Sequence, residues 1–299
     1  MQPLLVVANA SAGSHEQEAL DAALDVLRAA TDVHVVSTDA PDELDDVLCD
    51  LEGRGVVVAG GDGSLHAVVN ALNRLDVLKE TRLGLLPLGT GNDFARGLSL
   101  SLEPCEAAQV IVRQHTARIN LIVDDSGTVV VNNVHLGVGA QASRQATRWK
   151  GRLGRLGYVA GAIAAAVNPR FVQVEVTVDG EPLTPVSRVA QVAIGNGSNV
   201  GGGTELIPGA DPVTGQLVVI VSRAGGHLSR LVYLARLRAG SHHLMKEVTR
   251  VTGCEVHVEG DHFWTTSDGE LSGPYRSRTW ELRTGAVEMY LPERRRSAG

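Results

Sequence analysis

Cysteine is scarce in this chain: three in 299 residues, Cys49, Cys105 and Cys254, far apart and with no C-x-x-C pair. They suggest neither a disulfide framework nor a zinc site, and a reducing, cytoplasmic location is the expectation. An excess of positive charge is also missing. The formal net charge is −7, which argues against a general nucleic-acid binder, because such proteins need a basic face to displace counterions from phosphates. Long apolar runs are absent. The longest, residues 158–167, is about half of the roughly 20 residues that span a bilayer, so membrane contact is expected to be peripheral at most. No basic region with a cleavage site precedes the strand-like Pro3-Leu4-Leu5-Val6-Val7-Ala8, so no signal peptide is expected. G-x-x-x-x-G-K-[ST] does not occur, which removes a Walker-type lysine, and without a G-x-S-x-G elbow a Ser-His-Asp hydrolase has no support. No internal repeat stands out.

What the chain does have is a pair of glycine-rich turns. One is Gly60-Gly61-Asp62-Gly63-Ser64, the other Pro87-Leu88-Gly89-Thr90-Gly91-Asn92-Asp93-Phe94-Ala95-Arg96. Each lies between an apolar run (Val56-Val57-Val58-Ala59; Leu83-Gly84-Leu85-Leu86) and a helix-like segment. Leu65, Val68, Val69 and Leu72 after the first turn are spaced i, i+3, i+4, i+7, as on an amphipathic helix. Glycine in such turns tolerates positive φ and leaves room for backbone N–H groups to reach an anion, and the following helix adds its unpaired first-turn N–H groups. An ordinary tight strand-to-helix turn explains either one alone. Two of them, one strand apart, favour a phosphate-binding cleft.

With 43% hydrophobic and 20% charged residues, the composition is that of a globular protein long enough for two cores. Residues 1–117 alternate strand and helix signals: a strand at 4–9, a helix marked by Leu20, Ala23, Leu24 and Leu27, a strand at 33–36, a helix at 41–51, then the two glycine-turn units. That pattern predicts a parallel sheet covered by helices, with ligands outside the carboxyl ends of the strands. Beyond residue 117 the period changes to two. Val172, Val174, Val176 and Val178 alternate with polar residues before an Asp179-Gly180 turn. Further strand signals lie at 128–134, 189–194, 216–221, 255–258 and 287–291, with helical stretches near 141–167 and 227–239. The second domain is therefore read as mainly antiparallel sheet.

The two turns together resemble the signature of the diacylglycerol kinase catalytic-domain family of lipid kinases, relatives of NAD kinase and sphingosine kinase. Other segments agree in the same order: Asn9-Ala10-Ser11-Ala12-Gly13, the basic run Lys150-Gly151-Arg152-Leu153-Gly154-Arg155, Ile194-Gly195-Asn196-Gly197 with Gly201-Gly202-Gly203, and Asp268-Gly269-Glu270. The resemblance implies an α/β N-terminal domain like those of NAD kinase and phosphofructokinase at 1–117, joined by residues 280–299, plus a β-sandwich-like second domain at 118–279. It implies ATP-dependent transfer of the γ-phosphoryl group to diacylglycerol or a related lipid alcohol, in a cleft between the domains. On this reading Asn9, Ala10, Ser11, Ala12, Gly13, Thr38, Gly60, Gly61, Asp62, Gly63, Ser64, Leu65, His66, Gly89, Thr90, Asn92 and Asp93 form the nucleotide site. Glu270, with Asp268, is catalytic: Glu270 accepts the hydroxyl proton. Mg²⁺ accompanies ATP, with Asp62 as a candidate ligand. An NAD kinase, which shares the first turn, and a nucleotide- or lipid-binding protein without catalysis are the alternatives.

Some positions depart from the family pattern. His66 and Ala67 stand where many relatives have Asn-Glu. A metal loop corresponds to Asp211, Thr214 and Gln216, but Thr214 replaces an aspartate, which should weaken binding of a hard dication. The basic stretch Arg144, Arg148, Lys150, Arg152 and Arg155 with Trp149 reads equally well as a contact for anionic headgroups at a membrane surface and as a solvated face. A homodimer is left open. His242-His243 cannot easily chelate one metal and reads as a surface or capping pair.

Overall fold

The computed structural model describes residues 1–9, 14–38, 42–137, 171–223 and 226–293. Ala10, Ser11, Ala12 and Gly13, the basic stretch 144–155, the expected helical stretch 141–167 and the arginines of the tail lie outside those residues. The chain divides into two compact units, one of Met1–Leu121, Gly201–Gly203 and Arg283–Gly299, the other of Ile122–Val200 and Thr204–Leu282.

The first unit is an α/β domain. Its elements are β1 (Leu4–Asn9), α1 (Ser14–Arg28), β2 (Val33–Thr38), α2 (Glu43–Leu48), β3 (Gly55–Gly60), α3 (Asp62–Arg74), β4 (Arg82–Pro87), α4 (Asp93–Gly97) and α5 (Pro104–Val112). The parallel order is β2-β1-β3-β4, and Glu288 and Met289 near the C-terminus lie parallel to β4 beside Arg82 and Leu83. β3 is buried at all six positions and β1 and β4 at five each. Burial on both faces is why these strands read as unbroken apolar runs rather than alternations. Helix α1 packs on α5 and α2 on α3. The periodic stripes do that work: Leu20, Ala23, Leu24 and Leu27 of α1 and Leu65, Val68, Val69 and Leu72 of α3 are all buried, each large aliphatic contributing roughly 1.5 to 3 kcal/mol. In-register pairing sets Asn9 beside Thr38 and Gly60 beside Pro87. The loops that leave the carboxyl ends of the strands thus start from one edge of the sheet.

The second unit is β-sandwich-like. β5 (Thr116–Asp124) enters it at Ile122, and then come β6 (Val129–Val130), β7 (Asn133–Gly137), β8 (Val172–Val178), β9 (Glu181–Val189), β10 (Gln191–Gly195), β11 (Asn199–Val200), β12 (Thr204–Glu205) and β13 (Leu217–Ser222). Helix α6 (His227–Arg238), a 3-10 turn at His242–Leu244, β14 (Val248–Gly253), β15 (Glu255–Ser267) and β16 (Glu270–Tyr290) as far as Leu282 complete it. Strands β14-β13-β10-β7-β15 are antiparallel neighbours, while β15 also pairs with β8 and β16, and β8 with β9. β15 meets β8 along residues 256–260 and β7 along 265–267. Between them the register with β16 shifts, and Gly260 takes φ +148, where a Cβ would strike the Gln173 carbonyl. The bend lets one strand serve two layers. Val174, Val176, Val192, Ile194, Val219, Phe263 and Trp280 share the core between them.

The opposite face of β10 and β13 is covered too. Ala193, Val218 and Ile220 pack with Leu206, Ile207, Tyr233 and Met245, which explains the continuous burial of both strands. His242 corrects the surface reading: it is fully buried, its Nε2 lies 2.8 Å from the Leu206 carbonyl oxygen, and its ring meets Tyr233 edge-on. The expected strand at 128–134 is split into β6 and β7, because the backbone between them turns to a side chain described below. The Asp179-Gly180 turn has φ of 51° and 80°, the two positive values of a tight type I′ hairpin.

Candidate functional site

In the first unit the two glycine turns touch backbone to backbone. A Cβ on Gly89 would overlap the Cα of Gly61 and come within 2.8 Å of Asn92 Oδ1, and one on Gly61 would lie 3.0 Å from the Cα of Gly89. A Cβ on Gly60 would strike the Ser64 hydroxyl. Contrary to the expectation, none of these three glycines takes a positive φ. Close approach is what requires them. Gly63 is different: a Cβ there would meet nothing within 4 Å, so packing does not account for glycine at this first-turn position of α3. Gly89→Ala is expected to cost about 1 to 3 kcal/mol through overpacking and to separate the turns, which urea unfolding and nucleotide titration will read together.

Two carboxylates tie these turns to a third glycine loop. Asp62, at the start of α3, accepts the backbone N–H of Asp93 (2.9 Å) and of Phe94 (3.1 Å), one on each oxygen, and so caps the N-terminus of α4. Asp93 is buried, and its carboxylate accepts the N–H groups of Gly202 (3.0 Å) and Gly203 (2.7 Å). Gly201, Gly202 and Gly203 have φ of 64°, 88° and 107°, a run that only glycine adopts at low cost. Asn92 itself is left-handed, at φ 51°, and donates through Nδ2 to the Gly89 carbonyl at 2.7 Å. Asp93 and Asn92 are therefore held inside the loop scaffold, while Thr90 is exposed.

The other expected nucleotide residues are distributed along the same edge. Asn9 ends β1 and Thr38 ends β2; Ser64 and His66 are half-buried on α3, and Asn70 Nδ2 lies 3.3 Å from His66 Nε2. Leu65 does not join them: its side chain is in the core and its N–H is spent on the Gly61 carbonyl at 3.1 Å. Periodicity had already placed Leu65 on the buried stripe.

In the second unit Asp268 and Gly269, with φ of 48° and 94°, form a two-residue hairpin turn between β15 and β16. Asp268 points back into the domain. Its carboxylate accepts N–H groups from Val131 (2.7 Å), Asn132 (2.8 Å) and Asn133 (3.2 Å). The same segment is gripped from its other side: Asn196, buried, donates through Nδ2 to the Val131 carbonyl at 2.7 Å, and the N–H groups of Asn196 and Gly197 go to the Asn132 carbonyl. A Cβ on Gly197 would run into Asn132 Oδ1. The Asn196-Gly197 pair thus marks a close backbone crossing. Glu270, by contrast, is exposed, and stands opposite Ser267 as the first residue of β16.

His135, on β7, was missed in the sequence. It lies opposite Thr266 of β15, and both His135 Nδ1 and Thr266 Oγ1 are buried without a hydrogen-bond partner. Burial lowers its pKa from 6.5 to about 4, an effect that the negative charge of Asp268 partly opposes. The unfolded chain binds this proton near pH 6.5 and the folded one only near 4, so stability is full above pH 6.5 and is lost as pH falls toward 4. The expected slope approaches about 1.4 kcal/mol per pH unit, roughly 3 kcal/mol in all. Urea unfolding at pH 7, 6 and 5 checks it, and His135→Gln should flatten the difference.

The loop with Asp211, Thr214 and Gln216 does not fit a dication. Asp211 Oδ1 accepts the Val213 N–H at 3.1 Å, the Thr214 hydroxyl donates to the Asp211 carbonyl at 2.8 Å, and Thr214 and Gln216 are exposed. One carboxylate already engaged by its own turn, with a neutral hydroxyl beside it, falls short of the oxygen cage that such an ion needs. Among the described residues no group of three or more His, Cys, Asp or Glu is placed to hold a metal.

Comparison with known proteins accords with this arrangement. Residues 3–123 match the family model described as diacylglycerol kinase catalytic domain, and residues 132–291 match that of the YegS C-terminal NAD kinase beta sandwich-like domain. A protein named "Diacylglycerol kinase" from Mycobacterium tuberculosis (strain CDC 1551 / Oshkosh) is 29% identical over 228 residues, which cover 73% of this chain and 71% of the relative. One named "Probable lipid kinase YegS-like" from Stenotrophomonas maltophilia (strain K279a) is 30% identical over 248 residues, covering 79% and 78%. The crystal structure of a diacylglycerol kinase from Bacillus anthracis str. Sterne superposes with a TM-score of 0.80 at 23% identity over 97% of both chains, a likeness of fold. With its two domain models matched in order across almost the whole chain, and with both glycine turns and the Asp268 hairpin in place, this protein belongs to the diacylglycerol kinase catalytic-domain family of lipid kinases.

Proposed function

We propose that the protein transfers the γ-phosphoryl group of ATP to the hydroxyl of diacylglycerol or of a related lipid alcohol. The observation that carries this reading is the contact of the two glycine turns at the carboxyl edge of the parallel sheet, with Gly63 free of a side chain for no packing reason. Such a surface lets phosphate oxygens approach backbone N–H groups, and the first turn of α3 adds its own donors and the positive end of its dipole. Ser64 and Thr90 supply hydroxyl donors beside them. A Mg²⁺ ion bound with ATP would supply neutralisation of the phosphate charge. Asp62 and Asp93 act by holding the loops, since their oxygens accept backbone N–H groups.

Glu270 is the general base on this reading. As the lipid oxygen bonds to the γ-phosphorus, its proton passes to the Glu270 carboxylate and the bond from phosphorus to the ADP oxygen breaks. Asp268 is a positioning residue: by fixing the hairpin to residues 131–133 it sets where Glu270 starts. The test is incubation of the pure protein with γ-labelled ATP, magnesium and a total lipid extract, with NAD in a parallel reaction. Label in a lipid phosphate identified by mass spectrometry supports the proposal. Label in NADP replaces it with an NAD kinase, and ATP binding by calorimetry without transfer to any acceptor replaces it with a catalytically silent nucleotide-binding protein.

A further inference from the structure

The charge of this chain is unevenly spread. It carries 34 acidic residues, yet none falls between positions 212 and 246, where Arg223, Arg230, Arg236, Arg238 and Lys246 lie. That span holds α6 and the 3-10 turn that follows it. Arg236, Arg238 and Lys246 are all exposed, and among the described residues none has a carboxylate partner. The carboxylates at the border are Glu205, near Gly240, and Glu247, which accepts from the Ser229 hydroxyl at 3.2 Å.

The same span exposes apolar side chains. Among the described residues only Met1, Val232 and Leu244 are large hydrophobics left in solvent, and Leu244 is the most exposed at 69%. Val232, Ala235, Arg236 and Ala239 follow one another at i, i+3, i+4 and i+7 and are all exposed, which makes one solvent face of α6 apolar and basic. Leu244 is presented on a fixed turn. The N–H of Ser241 bonds the Arg236 carbonyl at 2.8 Å, and that of Leu244 bonds the Ser241 carbonyl at 3.2 Å. Beneath it Tyr233, His242 and Met245 are buried, and His242 is pinned to Leu206. A rigid turn that offers a leucine to water between arginines and a lysine gains nothing for the fold.

We propose that the end of α6 and the turn at His242–Leu244 dock on an anionic bilayer, with Leu244 entering the acyl boundary and Arg236, Arg238 and Lys246 facing acidic headgroups. Basic side chains near such a surface and an inserted apolar residue are the two parts of interfacial binding. The lipid-kinase reading supplies the reason for the visit, but binding is measured without ATP or acceptor, so either idea can fail alone.

The full-length protein is sedimented with vesicles of phosphatidylcholine alone and of phosphatidylcholine mixed with phosphatidylglycerol. Binding is expected to the anionic vesicles and to weaken with added salt. The pair Arg236→Gln and Arg238→Gln should lower affinity about 30-fold, at about fivefold per arginine, and Leu244→Ser about tenfold or more. These residues are exposed, so unfolding midpoints should stay at the wild-type value and turnover on a soluble short-chain acceptor should not change. Absence of binding to anionic vesicles, equal binding to neutral ones, or wild-type affinity in the variants overturns the proposal. Loss with the arginine changes but not with Leu244→Ser shows attraction to the headgroups without insertion of Leu244 and also overturns it.

Discussion

Glu270→Gln is expected to lower turnover by about two to four orders of magnitude while leaving ATP affinity unchanged. The substitution keeps the shape of the side chain and removes its ability to take a proton, and a positioned base typically contributes that much to a transfer step. A lipid hydroxyl is a weak nucleophile, so the loss should appear in kcat and not in KM. Glu270 is exposed at the first position of β16, and a surface change of this kind should move stability by no more than about 0.5 kcal/mol. Single-turnover rates with lipid acceptor, set beside calorimetric titration with ATP, separate the two effects. Equal loss of binding and turnover would remove the general-base assignment.

Asp268→Ala should act on a different quantity. Three backbone N–H groups converge on this carboxylate, and removing it leaves them without their acceptor in a half-buried setting. With hydrogen bonds to a charged group worth about 1.5 to 3 kcal/mol each and non-additive, and a left-handed φ of 48° that alanine tolerates poorly, a total loss of about 3 to 5 kcal/mol is expected. Asp268→Asn keeps the turn preference and one acceptor oxygen and should lose less. Urea unfolding midpoints give the order wild type, Asn, Ala. Turnover per folded molecule should fall modestly in the Asn variant, because Glu270 is displaced and not removed. A fall as deep as that of Glu270→Gln, with stability intact, would make Asp268 a direct participant.

The first unit was legible because its signals are local. Unbroken apolar runs, periodic stripes and glycine turns each lie within ten residues, and β1, α1 and α3 follow them closely. The antiparallel strands were less so. The long β16 carries Arg276, Arg278, Glu281 and Arg283 on a stretch with exposed positions, and a strand with one wet face needs few apolar residues to announce it. His242 was read as a surface or capping residue because its burial depends on packing against Tyr233 and on the Leu206 carbonyl, 36 positions away. The glycine turns were found for an incomplete reason: freedom at positive φ was expected, while Gly61 and Gly89 are needed for each other's approach.

Amino-acid order by itself carried the resemblance to the family and, with it, the β-sandwich-like class, while periodicity and turn chemistry, which act over short spans of chain, determined the parallel α/β first unit and the antiparallel strands of the second. Only the tertiary structure decided what the carboxylates do. Asp62, Asp93 and Asp268 look alike in sequence as acidic residues within glycine turns, yet each accepts backbone N–H groups from a segment at least 31 positions away, while Glu270 is left in solvent. A carboxylate becomes an anchor when folding brings unpaired donors to it and excludes competing water, and that encounter is a property of the packed chain.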